Sequence, residues 1–170
     1  KADRRVEVGP HTCFLFQNYD LLWMQVHEML CVEKGGLEQV KDELDAYNPL
    51  IPTGNDLIFS LMLEFPHGPQ RHQQLRDLQG IEQAIYLHDG TPQNRLQVLD
   101  ADPSLARYRT AEDGKTSSVH FLKFDFSKNL QMKQMLRNLS ENQTNSSQNR
   151  FYLEIDHKNY SHSAKLSKPT

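Results

Sequence analysis

The chain has 170 residues, of which 24% are charged and 37% hydrophobic, and a formal net charge of −3. That length suits a domain with one hydrophobic core, and the acidic balance argues against a nucleic-acid partner, which would need a basic face. No apolar run approaches the ~18 residues of a membrane-spanning helix, so no membrane partner is expected. The two cysteines, Cys13 and Cys31, form no CxxC motif and are typical of free thiols in a reducing cytoplasm, so a cytoplasmic location is expected.

The first half of the chain predicts a strand, a helical hairpin and a second strand. Residues 11–18 (HTCFLFQN) are rich in aromatic residues and predict a strand. Residues 21–34 and 37–47 have apolar residues at helical spacing, and Gly35–Gly36 between them predicts a hinge between two helices. The buried row of the second helix is predicted to be Leu37, Val40, Leu44 and Tyr47. The near-continuous apolar run 57–65 (LIFSLMLEF) predicts a central strand.

The second half predicts further strands and two more helices. In chain order these are a mostly polar helix ending at Gly80, a strand pair over 81–89 and 95–100, a strand over 119–126, an amphipathic helix over 128–139, and a strand over 151–157. Residues 161–170 lack periodicity and are predicted to be a flexible tail. Residues 1–160 are predicted to form a single α+β domain. Because regular helices do not separate the strands, we expect a mostly antiparallel sheet of about five or six strands, with helices packed on one face.

Two histidines fall in phase with apolar rows of predicted strands. Side chains alternate between the faces of a strand, so His120 shares a face with Leu122 and Phe124. By the same rule His157 shares a face with Leu153 and Ile155. If the two strands are antiparallel neighbours, the start of one lies beside the end of the other, and the two imidazoles lie close together.

A carboxylate at Glu33 extends this pair into a candidate metal site. Glu33 falls on the apolar stripe of the first predicted helix, where an unpaired carboxylate is unfavourable. Two imidazoles and one carboxylate are suitable ligands for iron, zinc or manganese, so His120, His157 and Glu33 are candidate metal ligands. No HxH, HExxH or ExxH spacing supports the site. The alternative is that both histidines hydrogen-bond to backbone groups and Glu33 reaches solvent.

Other patterns point to weaker possibilities. His27 and Cys31 lie four residues apart on one predicted helix, so they can bind a metal together or form a redox-sensitive thiol. An aromatic pocket for a small ligand would use Phe14, Phe16 and Trp23, although such residues are more often core. The sequence has no GxSxG, Walker or GxGxxG motif, so no catalytic residue is predicted and an enzyme is not favoured.

Several blocks together resemble a known family. The order of VGPHTCFLFQN, QVHEML, ELDAYNPLIP, KTSSVHFLKFDF and IDHKNY, from about Arg5 to Tyr160, resembles an uncharacterised bacterial family described as a domain of unknown function. Its members are often encoded beside rubrerythrin and a heterodisulfide-reductase-like iron–sulfur protein. At His27 and Cys31 the family more often has Gln and Arg. The resemblance implies an accessory or binding protein in a redox and oxidative-stress system, with rubrerythrin or the iron–sulfur protein as partner.

Overall fold

The computed structural model describes residues 2–91, 93–102, 114–140 and 150–166. These residues form two antiparallel sheets and four α-helices, which confirms the predicted α+β class. The elements in chain order are β1 (Arg5–Glu7), β2 (Thr12–Phe16), α1 (Tyr19–Glu33), α2 (Gly36–Tyr47), β3 (Asp56–Leu63), α3 (Gln70–Asp77), β4 (Ile85–His88), β5 (Arg95–Gln97), β6 (Leu99–Asp100), β7 (Val119–Asp125), α4 (Leu130–Ser140), β8 (Phe151–His157) and β9 (Tyr160–Leu166). Among these described residues, no helix has both the length and the apolar character needed to cross a membrane.

The strands are divided between two sheets, where the sequence had predicted one. The first sheet has the strand order β1-β2-β3-β7-β6, and the second has the order β5-β4-β8-β9. Side chains from both sheets share the main core, in which Phe14, Phe59 and Phe124 of the first sheet join Phe151 and Leu153 of the second. Two sheets that each present an apolar face bury those faces against each other.

One short segment passes from one sheet to the other. The predicted strand 95–100 is split at Val98, so that β5 pairs with β4 of the second sheet and β6 pairs with β7 of the first. Val98 is buried, and its backbone N–H donates to the Ile85 carbonyl oxygen at 3.0 Å. The predicted pairing of 81–89 with 95–100 is therefore confirmed for β4 and β5.

The predicted helical hairpin lies on the outer face of the first sheet. The side chain of Asn18 accepts a hydrogen bond from the backbone N–H of Leu21 at 2.9 Å, which caps the start of α1. Helix α1 ends at Glu33 and is capped by Lys34, which has a left-handed φ of 55°, and α2 begins at Gly36, as the two glycines predicted. Apolar residues of this layer form a second, smaller core with the sheet, consisting of Leu22, Leu50, Ile58 and Ala101.

Helices α3 and α4 pack against the main core and do not belong to the helical hairpin. Leu75 of α3 and Met132 of α4 belong to the main core between the two sheets. Among the described helices, the hairpin α1–α2 covers the outer face of the first sheet, whereas α3 and α4 complete the core that the sheets share.

The segment after Tyr160 is a strand where a flexible tail had been predicted. Residues Tyr160–Leu166 form β9 and pair with β8 over the whole of its length. Residues 161–163 are all exposed, so the apolar alternation that marks a half-buried strand is missing. Backbone pairing at a sheet edge, which the sequence does not display, orders these residues. The rest of the predicted tail, 167–170, lies outside the described residues.

Candidate functional site

His120 lies on the inner face of the first sheet, as its phase on the strand predicted. It is only 2% exposed, and its strand partner Leu61 belongs to the main core. Its Nε2 atom lies 2.9 Å from the Ser117 carbonyl oxygen and 3.3 Å from Thr116 Oγ1. Because a carbonyl oxygen can only accept, Nε2 carries the proton and donates it to Ser117.

His157 also lies on an apolar row, at the end of β8, and is 8% exposed. Its Nε2 lies 3.1 Å from the Gln79 carbonyl oxygen, and its Nδ1 lies 3.3 Å from the backbone nitrogen of Asn159. Nε2–H therefore donates to the carbonyl, while Nδ1 accepts from the amide. This arrangement uses both ring nitrogens, and the lone pair on Nδ1 is directed at the Asn159 amide and not at a metal.

The contacts of both histidines lead to the C-terminal end of α3. The backbone N–H of Thr116, which lies beside His120, donates to the Leu75 carbonyl oxygen at 3.2 Å. The side-chain amide of Asn159, which lies beside His157, donates to the Asp77 carbonyl oxygen at 2.6 Å. Each histidine therefore belongs to a set of polar contacts that fastens α3 to a different sheet.

Glu33 lies in the helical hairpin, and its hydrogen bond is made within that hairpin. It is exposed at the last position of α1 and accepts a hydrogen bond from Gln39 Nε2 at 3.0 Å, so the prediction that it belongs to a buried stripe is wrong. Strands β7 and β8 belong to different sheets, so the antiparallel pairing on which the proximity of His120 and His157 depended does not occur. No three His, Cys, Asp or Glu side chains within the described ranges are grouped so that they could hold a metal ion. Binding of iron, zinc or manganese by these residues stays a prediction, and no described contact supports it.

The predicted aromatic pocket is divided between two layers. Phe14 is buried in the main core, and Phe16 packs against that core, with its ring centroid 5.7 Å from that of Phe59. Trp23 lies on the hairpin, where its ring centroid is 3.9 Å from that of His27. The first sheet separates these groups, so Phe14, Phe16 and Trp23 do not line a common pocket.

The two cysteines occupy contrasting environments. Both are free; Cys13 is buried in β2, and Cys31 is exposed on α1. Burial raises the pKa of the Cys13 thiol, and the neighbouring Glu64 and Glu7 carboxylates add to the shift, although Arg5 opposes it. Since the thiolate is the reactive form, Cys13 is protected both by burial and by its protonation.

We expect iodoacetamide at neutral pH to modify Cys31 alone while the protein is folded. Mass spectrometry should show one added carbamidomethyl group in buffer and two in concentrated urea. A Cys31→Ser variant should take up none in buffer and one in urea. Rapid modification of Cys13 in the folded variant would contradict the buried position of β2.

An apolar groove, which we call the hairpin groove, lies between α1 and α2. Its volume is about 260 Å³, and its walls include Trp23, His27 and Leu30 of α1 and Val40 and Leu44 of α2. Trp23 is 52% exposed and Leu44 is 41% exposed, although both lie against other apolar side chains. Contiguous exposed apolar surface of this kind is typical of an interaction site.

The hairpin itself is held in shape by a buried glutamine. Gln39 Nε2 donates to the Met29 carbonyl oxygen at 3.2 Å, and Gln39 Oε1 accepts from the backbone N–H of Gly35 at 2.6 Å. These contacts join α2 to the end of α1 and fix the turn between the two helices. The groove therefore has walls whose relative position is set by hydrogen bonds, which reduces the ordering cost of binding.

Tyr47 separates the hairpin groove from a second cavity under α1. That cavity has a volume of about 290 Å³ and lies over the outer face of the first sheet, where Gln17 Nε2 donates to Ser60 Oγ at 2.8 Å. Burial, reinforced by the Glu43 carboxylate, raises the pKa of the Tyr47 hydroxyl, which is therefore protonated at neutral pH. The hairpin therefore does not fill all the space above the sheet, and a cavity lies on each side of α1.

Sequence reasoning identified the residues of the groove but assigned them the wrong environment. Leu37, Val40, Leu44 and Tyr47 had been predicted as a buried row, yet Leu37 and Leu44 are exposed. The helical spacing was correct for Val40, Leu44 and Tyr47, which together line the groove, whereas Leu37 does not line it.

The geometry defines a three-layer α+β protein, in which a helical hairpin with an open apolar groove lies on one of two facing sheets. A family described as "Protein of unknown function (DUF3501)" matches residues 1–170, and the chain belongs to this family. The predicted resemblance to a family of unknown function is therefore confirmed. Its expected association with rubrerythrin and an iron–sulfur protein stays a prediction.

A solved structure shares this architecture. The chain is similar to a crystal structure of a novel protein of unknown function from Burkholderia pseudomallei K96243, with a TM-score of 0.77 and 29% sequence identity. The similarity covers 99% of this chain and 80% of the other. A search of curated proteins found no match.

Proposed function

We propose that this chain is an accessory protein that docks another protein through the hairpin groove, in a bacterial redox and oxidative-stress system. The exposed apolar walls of the groove carry the proposal, in particular Trp23 and Leu44. Tryptophan is the residue type most enriched among the side chains that dominate binding energy at protein interfaces. The family resemblance suggests rubrerythrin or a heterodisulfide-reductase-like iron–sulfur protein as the partner, acting in the cytoplasm.

The arrangement of polar groups supports binding more than bond-making chemistry. His157 has both ring nitrogens hydrogen-bonded, and His120 donates to a backbone carbonyl, so both imidazoles have roles within the fold. The groove walls carry few polar atoms, and the imidazole of His27 is hydrogen-bonded through Nδ1 to the Trp23 carbonyl oxygen at 2.8 Å. Apolar walls with fixed positions suit recognition of an apolar surface on a partner.

Titration of purified rubrerythrin and of the purified iron–sulfur protein into the full chain tests the proposal. We expect one of them to bind, and we expect Leu44→Glu to weaken binding at least tenfold, because a carboxylate replaces an apolar contact in the groove. The matched control is Leu130→Glu, which changes an exposed leucine on α4, away from the groove, and should leave the affinity unchanged. Far-ultraviolet circular dichroism and urea midpoints establish that both variants are folded.

Two results would count against the proposal. If neither protein binds the wild-type chain, the partners suggested by the resemblance are wrong. If one binds, but Leu44→Glu and Leu130→Glu have equal effects, docking occurs on another surface.

A further inference from the structure

The hairpin that forms the groove is strongly acidic. Residues 19–47 contain seven acidic and two basic side chains, a net charge of −5, whereas the whole chain has a net charge of −3. The remainder of the molecule is therefore slightly basic, and the negative charge is concentrated on the hairpin that carries the groove. Glu38, Asp42 and Asp45 form an exposed stripe along α2, on the side of the helix turned away from Leu44. Such a field attracts cationic partners and speeds their encounter with the surface.

From this charge and the shape of the groove, we propose that the occupant is a basic amphipathic helix of the partner protein. This inference rests on the proposed docking function and specifies its ligand. The groove wall on α1 runs from Tyr19 to Leu30, a rise of about 16 Å at ~1.5 Å per residue. That length accommodates about three helical turns, so apolar side chains at positions i, i+3 or i+4, and i+7 of a partner helix can enter it in succession. Lysine or arginine on the other face of that helix is attracted by the negative field of the whole hairpin.

A helix suits the groove better than an extended peptide. The walls consist of side chains from two α-helices, whose backbone groups are already hydrogen-bonded within the helices. An extended peptide in this apolar groove would leave its own backbone N–H and C=O groups without partners, which is costly. A helix satisfies those groups internally and presents only side chains.

The charge also disfavours two other occupants. A second copy of this chain would bring two hairpins of net charge −5 together, and like charges facing each other across an interface are unfavourable. The surface of an anionic membrane leaflet would repel the hairpin for the same reason. A cationic helix relieves the self-repulsion of the acidic residues when it binds.

The test uses synthetic helical peptides and the intrinsic fluorescence of the full-length protein. The probe is a 14-residue peptide of leucine and lysine, with leucines at helical spacing; matched peptides carry glutamine or glutamate at every lysine position (about four turns each, at ~3.6 residues per turn). Trp23 is the single tryptophan of the chain and stands in the groove wall, so its emission reports occupancy directly. We expect the lysine peptide to shift the emission to shorter wavelength with saturation in the micromolar range. The glutamate peptide should bind at least tenfold more weakly, and added NaCl should reduce the difference.

Variants separate the apolar and the electrostatic parts. Leu44→Glu should weaken binding of all three peptides, whereas Leu130→Glu should not. The triple substitution Glu38→Gln, Asp42→Asn, Asp45→Asn should weaken the lysine peptide severalfold and leave the glutamine peptide unchanged, because it removes exposed charge without altering the walls.

Each alternative outcome overturns a distinct statement. Equal affinity for the lysine and glutamate peptides would refute the basic character of the occupant, while the docking function would stand. If no peptide binds, yet a protein partner binds in a Leu44-dependent manner, the occupant is not a helix of this kind. A chain that sediments as a dimer, and as a monomer after Leu44→Glu, would show that a second copy fills the groove.

Discussion

Replacing Phe59 by alanine is expected to reduce the free energy of unfolding by about 3–5 kcal/mol. Phe59 is fully buried at the centre of the first sheet, and its ring centroid lies 5.1 Å from that of Phe14 and 5.3 Å from that of Phe124. These rings face the apolar side chains of the second sheet, so the lost volume lies where both sheets meet. Since the whole folding free energy of a small domain is ~5–15 kcal/mol, this single change would bring the protein close to unfolding.

Urea unfolding followed by circular dichroism measures this effect. Leu130→Ala is the matched control, because it removes the side chain of an exposed apolar residue and should change stability by no more than ~0.5 kcal/mol. A loss below ~1.5 kcal/mol for Phe59→Ala would mean that the site collapses around the missing ring, and that the packing between the sheets is looser than the aromatic distances indicate.

The second large effect is expected at Gly9, in the turn between β1 and β2. Its φ of +76° is unfavourable for other residues, and a Cβ atom there would lie 2.5 Å from the hydroxyl oxygen of Tyr160. That hydroxyl cannot easily move, because it donates to the Val8 carbonyl oxygen at 2.9 Å and accepts from the backbone N–H of His11 at 3.0 Å. The same Cβ atom would lie 2.6 Å from the exposed ring of His162, which packs edge-on against the Tyr160 ring. Gly9→Ala therefore displaces the Tyr160 hydroxyl and breaks the link between the two sheets at this end.

Gly54 provides the matched control for this change. It has a similar φ of +84°, and nothing lies within 4 Å of the position its Cβ would take. Gly54→Ala should cost only the backbone strain, ~1–2 kcal/mol, and Gly9→Ala should cost ~1–3 kcal/mol more because of the overlap. Equal losses for the two variants, measured by urea unfolding, would show that Tyr160 moves without penalty.

Local features of the fold were predictable because they depend on neighbours in the sequence. The alternation around His120 and His157 correctly placed both imidazoles on buried faces, and the pair Gly35–Gly36 correctly divided the two helices of the hairpin. The spacing of apolar residues and the residue types of turns are read from a few neighbouring positions, so these features can be predicted without knowing any contact between distant segments.

The errors concern contacts between distant segments. Whether the strands of His120 and His157 share a sheet depends on which strand pairs with which, and two facing sheets have the same sequence periodicity as one. The same reason applies to Tyr160–Leu166, which is ordered by pairing with β8 and has no apolar alternation. The hairpin groove could not be predicted as open, because helical spacing shows that Leu44 lies on an apolar face but not whether anything covers that face.

The segment from Arg95 to Ala101 joins the two sheets within seven residues. It begins in the second sheet as β5, continues in the first sheet as β6, and ends at Ala101 in the small core beneath the helical hairpin. The two sheets are therefore joined by a continuous stretch of covalent chain in addition to their side-chain packing. One sheet could slide over the other only if the backbone pairing of β5 or of β6 were broken.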